Sequence, residues 1–149
     1  MILQDITHIR TTPERIFDFF REMEANYRAW HPDHLGFRWV AGRELREGVV
    51  FAFEERIAGK LLKKRVGFTR VVPGRHLEFA PTSWLVRLFL PRMLFRVEPE
   101  ADGCRLTAEI HLRVGPLAAR LQRRELGAVR RHMREEGENM QRLLEGVSS

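Results

Sequence analysis

Apolar and polar positions alternate most clearly between residues 104 and 114. Cys104, Leu106, Ala108, Ile110, Leu112 and Val114 fall on one side, and Arg105, Thr107, Glu109, His111 and Arg113 on the other. A strand with one buried and one wet face is predicted there. Weaker forms of the same pattern cover residues 37–40, 49–58, 61–72, 76–79 and 93–98. Ala41-Gly42, Glu47-Gly48, Ala58-Gly59, Pro73-Gly74 and Ala101-Asp102-Gly103 punctuate them, and short turns between successive strands make an antiparallel meander. A further strand is predicted over residues 2–10.

Helical signals bracket the meander. Thr12-Pro13-Glu14 supplies an N-cap residue, a proline at the first helical position and an acid in the first turn. Ile16, Phe17, Phe19 and Phe20 give that helix its buried side. A second short helix is predicted over about residues 22–30. It ends at His31-Pro32-Asp33-His34, because a residue before proline is pushed away from helical angles. Gly115-Pro116 opens one long helix reaching about Gly146, with Leu126, Val129, Met133, Met140 and Leu144 on one side. The order predicts an α+β helix-grip fold: a curved antiparallel sheet around a long C-terminal helix, with a cavity between them and a single unit spanning residues 1–149. The greasy segment Trp84-Leu85-Val86-Arg87-Leu88-Phe89-Leu90-Pro91 reads as a strand edge and loop packed on the core, or else as a lid or membrane-touching entrance.

Composition narrows the classes without choosing among them. Hydrophobic residues make up 44% and charged residues 31% of 149 positions, as in ordinary folded domains. Cys104 is the sole cysteine, which excludes an intrachain disulfide scaffold, a zinc ribbon and a dithiol redox pair. No apolar run approaches the roughly 18 residues of a membrane span. The N-terminus lacks a basic region and apolar block, so a cytoplasmic location is expected. The net charge of +6 is carried almost wholly by arginines spread along the chain. Arg120, Arg123, Arg124, Arg130, Arg131 and Arg134 load the long helix, interleaved with Glu125, Glu135 and Glu138, and read as a solvated face. No motif of specific nucleic-acid recognition accompanies them.

The histidines and acids separate by face. His111 and His76 point outward in their strands, and His8 lies on a strand with two mixed faces. His132 falls inside the apolar stripe of the long helix, and Glu136 follows four residues later, near the centre of that stripe. Side chains at i and i+4 share a face and can converge on one atom. A buried carboxylate requires compensation, which the imidazole itself, an arginine from the sheet or a metal ion would provide. In strand 49–58, Phe51, Phe53, Glu55 and Ile57 share a face, so Glu55 points inward unless a bulge exchanges it with Glu54. His31 and His34 flank the junction between the second helix and the sheet, near the expected cavity mouth. Together these residues offer a nitrogen and oxygen ligand set suited to Zn²⁺, with Mn²⁺ or Fe²⁺ also compatible. The competing reading is a helix cap at His31, a surface His34 and a metal-free core cluster.

The opening, Ile6-Thr7-His8-Ile9-Arg10-Thr11-Thr12-Pro13-Glu14-Arg15-Ile16-Phe17-Asp18-Phe19-Phe20, resembles that of the START/Bet v 1-like superfamily, also called SRPBCC or polyketide cyclase-like, and the element order extends the likeness over nearly the whole chain. That fold hosts carriers, cyclases, hydrolases and regulators, so it does not by itself choose a function. Trp30-His31-Pro32-Asp33-His34, Phe53-Glu54-Glu55 and His132-Met133-Arg134-Glu135-Glu136 further resemble the metal-dependent diacetylphloroglucinol hydrolase-like branch. This resemblance implies metal ligation by His31, Glu55, His132 and Glu136, with His34 as a polar residue facing substrate; the roles of His31 and His34 are interchangeable in the match.

The implied function is metal-dependent hydrolysis of a small, largely apolar carbonyl compound, polyketide-like or aromatic. His34, or His31 if unligated, would move the proton. Phe51, Phe53, Phe68, Phe95, Val129, Met133 and Met140 would line the cavity. The alternative is a non-catalytic carrier or sensor of a hydrophobic ligand in the same cavity.

Overall fold

The computed structural model describes residues 1–146, so the last three positions of the expected unit lie outside the described residues. The chain runs β1 (Ile2–Ile9), α1 (Pro13–Arg21), α2 (Met23–Trp30), β2 (His34–Ala41), β3 (Val50–Ile57), β4 (Lys60–Val72), β5 (His76–Pro81), α3 (Trp84–Phe89), β6 (Arg92–Glu100), β7 (Gly103–His111), α4 (Pro116–Leu121) and α5 (Arg123–Gly146). The strands form one curved antiparallel sheet in the order β1-β7-β6-β5-β4-β3-β2. The meander β2 to β7 follows sequence order, and β1 closes on β7, with Ile2 opposite His111 and Ile9 opposite Cys104. This is the helix-grip arrangement that the order of elements predicts. No helix among the described residues is long and apolar enough to cross a membrane.

Local chemistry explains the entry into the fold. Thr12 caps α1 by accepting a hydrogen bond from the Arg15 amide at 3.2 Å. The helix then buries Ile16, Phe17, Phe19 and Phe20 in the aromatic core, with Phe19 and Phe20 both edge-on to Trp30. Helix α2 stops at His31, which is already extended at φ −154° before Pro32. Its last turn is fastened to α5 from both sides: Trp30 Nε1 donates to the Glu136 carbonyl and Asn139 Nδ2 to the Trp30 carbonyl, each at 2.9 Å.

Helix α5 lies close over β1. A Cβ on Gly137 would sit 2.2 Å from Thr7 Oγ1 and 2.9 Å from Asp5 Oδ2, so a larger residue fits only if those side chains turn or the helix moves out. Arg134 adds an ion pair to Asp5 at 3.2 Å.

Several boundaries differ from expectation. Strand β2 begins at His34, three residues earlier than the predicted 37, with a register shift between His34 and Gly36 that hides the alternation. The greasy segment is neither strand edge nor packed loop: residues 84–89 form a short helix capped by Ser83, with no buried side chain. The long helix is two helices, since Gln122 (φ −99°, ψ 18°) ends α4. Met140 is fully buried in the core beyond the cavity rather than lining it.

The outer face of β7 is less wet than its alternation predicts. Thr107 and Glu109 are buried there among neighbouring side chains of the sheet. Glu109 accepts hydrogen bonds from Gln4 Nε2 and His111 Nε2, both at 2.9 Å, and pairs with Arg96 at 3.5 Å. His111 Nδ1 in turn accepts from Arg92 at 3.4 Å. Burial alone would push the Glu109 carboxyl up, but these hydrogen bonds and the positive charges hold it below the ordinary carboxylate range. His76 also points outward, against Glu78 at 3.0 Å, and His8 lies between Glu100 and Asp102.

Candidate metal centre

Four side chains from three elements converge where α5 crosses the end of β2 and β3. His34 opens β2 and stands directly opposite Glu55 of β3 in the ladder, which puts both on the inner face. His132 and Glu136 reach the same point from one face of α5, one turn apart. His34 Nε2 is 2.8 Å from Glu136 Oε2 and 3.1 Å from His132 Nε2. His132 Nε2 is 3.3 Å from Glu136 Oε2 and 3.5 Å from Glu55 Oε2. One ligand atom from each of the four lies within 4.8 Å of the others.

The orientation of His34 is fixed by its surroundings. Its Nδ1 lies 2.9 Å from the Tyr27 carbonyl oxygen, which can only accept, so Nδ1 carries the hydrogen. With Nδ1 so engaged, Nε2 is the ring nitrogen aimed at the cluster and the one a metal would take. Tyr27 stacks flat on the ring, with centroids 4.0 Å apart and planes within 5°, and Trp30 meets it edge-on. Lone pairs of two nitrogens and two carboxylate oxygens come this close only with a proton or a cation between them.

The electrostatics of the cluster follow from that crowding. Burial works against a charged His132, yet the hydrogen bond and charge of Glu136, with the charges of Glu55 and Asp33, raise its pKa. Burial would raise Glu136 as well, but hydrogen bonds and charge from His132 and His34 draw it well below the ordinary carboxylate range. Both shifts favour a proton shared between His132 and Glu136. Two imidazoles and two carboxylates fit a tetrahedral Zn²⁺ site, and the nitrogen and oxygen set also suits Mn²⁺ or Fe²⁺.

The structure brings His34, Glu55, His132 and Glu136 together and places His31 beside them. His31 is buried, but its Nδ1 accepts from the Asp33 amide at 2.9 Å and its Nε2 meets Glu135 at 3.1 Å. Its ring centroid is 4.2 Å from that of His132, and with Asp33 and His132 it forms a second, adjoining group of donors. Glu54 points outward to Lys63, so the register leaves Glu55 as the inward acid.

Glu55, His132 and Glu136 of the cluster line a cavity of about 220 Å³. Phe51, Phe53, Phe68, Phe95, Val129 and Met133 line it. Two polar groups join them. Lys64 faces inward because β4 alternates Leu62, Lys64, Val66, Phe68, and its Nζ reaches Glu55 Oε1 at 3.3 Å over the ring of Phe53. The period-2 pattern of that strand carried this signal. Tyr27 also lines the cavity, and its hydroxyl is buried with no hydrogen-bond partner among the described residues. Desolvation by burial, then the charges of Glu55 and Glu136, push its pKa up, so the hydroxyl stays neutral and able to donate.

Fold and site together define a helix-grip protein with an aromatic cavity and a polar cluster in its wall. Residues 4–145 match the model of the family described as polyketide cyclase / dehydrase and lipid transport, and the chain belongs to that family. Solved structures agree on the fold. The protein TTHA0849 from Thermus thermophilus superposes with a TM-score of 0.76 at 14% identity, covering 100% of both chains. A START superfamily protein from Mycobacterium smegmatis gives a TM-score of 0.72 at 12% identity over 98% of each chain. The di-domain ARO/CYC BexL from the BE-7585A biosynthetic pathway gives 0.70 at 13% identity, covering 97% of this chain and 50% of that one. No curated protein matches the sequence. Family and fold support a role in binding or processing small hydrophobic ligands.

Proposed function

We propose that the protein is a metal-dependent hydrolase of a small, largely apolar carbonyl compound, aromatic or polyketide-like, bound in the cavity between sheet and α5. The observation that carries this reading is the convergence of His34 Nε2, His132 Nε2, Glu55 Oε2 and Glu136 Oε2 on one point at the cavity's wall. These four residues would hold the ion. A divalent cation bound there supplies Lewis acidity toward a carbonyl oxygen and lowers the pKa of water.

The chain's own residues do the rest. The aromatic wall of Phe51, Phe53, Phe68 and Phe95 binds the apolar body of the substrate and excludes water. Tyr27 Oη, neutral and without a partner among the described residues, would donate a hydrogen bond to a substrate oxygen brought within its reach. Lys64 Nζ holds Glu55 Oε1, leaving Oε2 to face the cluster. With Nδ1 given to the Tyr27 carbonyl and Nε2 to the cluster, His34 serves as a ligand rather than a proton carrier in this reading.

The runner-up, a non-catalytic hydrophobic-ligand carrier, is favoured by the ability of the His132–Glu136 pair to satisfy itself with a proton alone. Elemental analysis and calorimetric titration with Zn²⁺, Mn²⁺ and Fe²⁺ separate the two. About one equivalent of tightly held metal, lost in His132→Ala and Glu136→Ala, supports the hydrolase. Metal-dependent cleavage of acyl-aromatic or β-diketone substrates must accompany it. A protein that ignores all three ions yet binds an apolar fluorophore leaves the carrier.

A further inference from the structure

Helix α3 is the feature the cavity chemistry does not use. It has six residues, and none is buried. Trp84 is 74% exposed and Phe89 63%, with Leu85, Val86 and Leu88 between them also exposed. Six consecutive residues cover every azimuth of a helix, so apolar surface surrounds this one rather than forming a stripe. A helix of that kind is buried in protein or in lipid. A protein groove takes one face and leaves a polar back; α3 has only Arg87 to offer water.

Charge identifies the surface it meets. No acidic residue occurs between Glu78 and Glu98, and none between Glu109 and Glu125. The two segments are joined where the Arg113 amide donates to the Phe89 carbonyl at 2.8 Å. Arg87, Arg92 and Arg113 are exposed around the apolar helix, and Arg120, Arg123 and Arg124 continue the basic tract along α4 and the start of α5. A second copy of the chain would set arginines against arginines. Anionic headgroups would neutralise them while Trp84, Leu85 and Phe89 enter the acyl boundary.

The helix also adjoins the cavity. Leu90, the residue that ends α3, lines it, as do Met93 and Leu112. We infer that α3 and the flanking arginines form a docking surface for an anionic lipid bilayer, through which an apolar ligand passes between membrane and cavity. This stands apart from the metal reading, because a carrier and a hydrolase would use the same entrance.

Vesicle co-sedimentation tests it, with phosphatidylcholine alone compared against phosphatidylcholine containing about 30% phosphatidylglycerol. Binding is expected on the anionic vesicles, at least about tenfold weaker on the neutral ones, and weakened by salt. Trp84→Ser combined with Phe89→Ser should reduce it about tenfold or more. Arg87→Glu combined with Arg113→Glu should do likewise and flatten the salt dependence, which keeps the test open if the first pair folds poorly. Trp84 emission should shift blue on the anionic vesicles and lose that shift in Trp84→Phe. No binding to anionic vesicles, equal binding to both compositions, or unchanged binding in both variant pairs overturns the inference. So does a concentration-dependent dimer that Trp84→Ser with Phe89→Ser dissolves.

Discussion

Glu136 inside the cavity and Glu109 on the outer face of the sheet are each set beside histidine and shielded from water, yet their neighbourhoods have opposite logic. Around Glu109 every acceptor meets its own N–H: Gln4 and His111 donate to its two oxygens, Arg96 adds charge, and Arg92 satisfies the far nitrogen of His111. Such a network is complete. Around Glu136 two imidazole nitrogens and a second carboxylate crowd one point, and the Lys64 ammonium is turned to the far oxygen of Glu55. The difference shows that residue types alone do not mark a site. What marks it is several lone pairs that share one need for positive charge.

Supplying that charge is the largest way to break the comparison. Zn²⁺ at about a thousand times its dissociation constant should add about 4 kcal/mol of stability, or roughly 8–16 °C in Tm for a chain of this size. Scanning calorimetry should find the rise abolished in Glu136→Ala and His132→Ala and reversed by chelator. Glu109→Gln should keep it whole. Gly137→Ala comes next. Its new methyl group cannot coexist with Thr7 Oγ1 and Asp5 Oδ2 as they stand, so those side chains must turn or α5 must lift from β1, costing about 1–3 kcal/mol in urea titration. Metal affinity should fall with it, because Glu136 is the adjacent residue.

Smaller effects sharpen the contrast. Lys64→Met removes the group that holds Glu55 and should weaken metal binding about tenfold by calorimetric titration, as loss of a supporting hydrogen bond does. Glu109→Gln should destabilise by about 1 kcal/mol or less at neutral pH. Since the folded-state pKa of Glu109 is lowered, its contribution is complete above the unfolded carboxyl's ordinary value near 4.5 and disappears as pH falls through the folded value. Urea titrations of the wild type and the variant should therefore converge as pH drops below that value.

The sequence disclosed the fold through its strongest local signals. Thr12-Pro13 starts α1, and the alternation through Cys104, Leu106 and Ile110 marks β7. Of the cluster, His132 and Glu136 are legible from helical spacing and Glu55 from strand alternation, because each lies within a regular element. The resemblance leaves the roles of His31 and His34 interchangeable, and the shift between His34 and Gly36 disguises the strand that sets His34 opposite Glu55. Lys64 is legible in principle, as an inward position among Leu62, Val66 and Phe68, but a charged residue at such a position reads as solvent-facing. The burial of Glu109 cannot be seen from its own strand, because Gln4 and Arg96 come from two others. Helix α3 misleads for the opposite reason: an apolar run suggests packing, and only the tertiary structure shows it left bare.

The ladder that pairs Ile2 with His111 makes the first and last strands of the sheet depend on each other. Strand β1 leaves the ribosome before the rest of the sheet and gains its two neighbours, β7 and α5, only late in synthesis. A nascent chain still lacking both would have His34 and Glu55 but neither donor from α5, and an unclosed sheet edge besides. Closing so long a loop is an entropic task late in folding, and an ion clasped between residues 34 and 136 would act as the rivet that completes it.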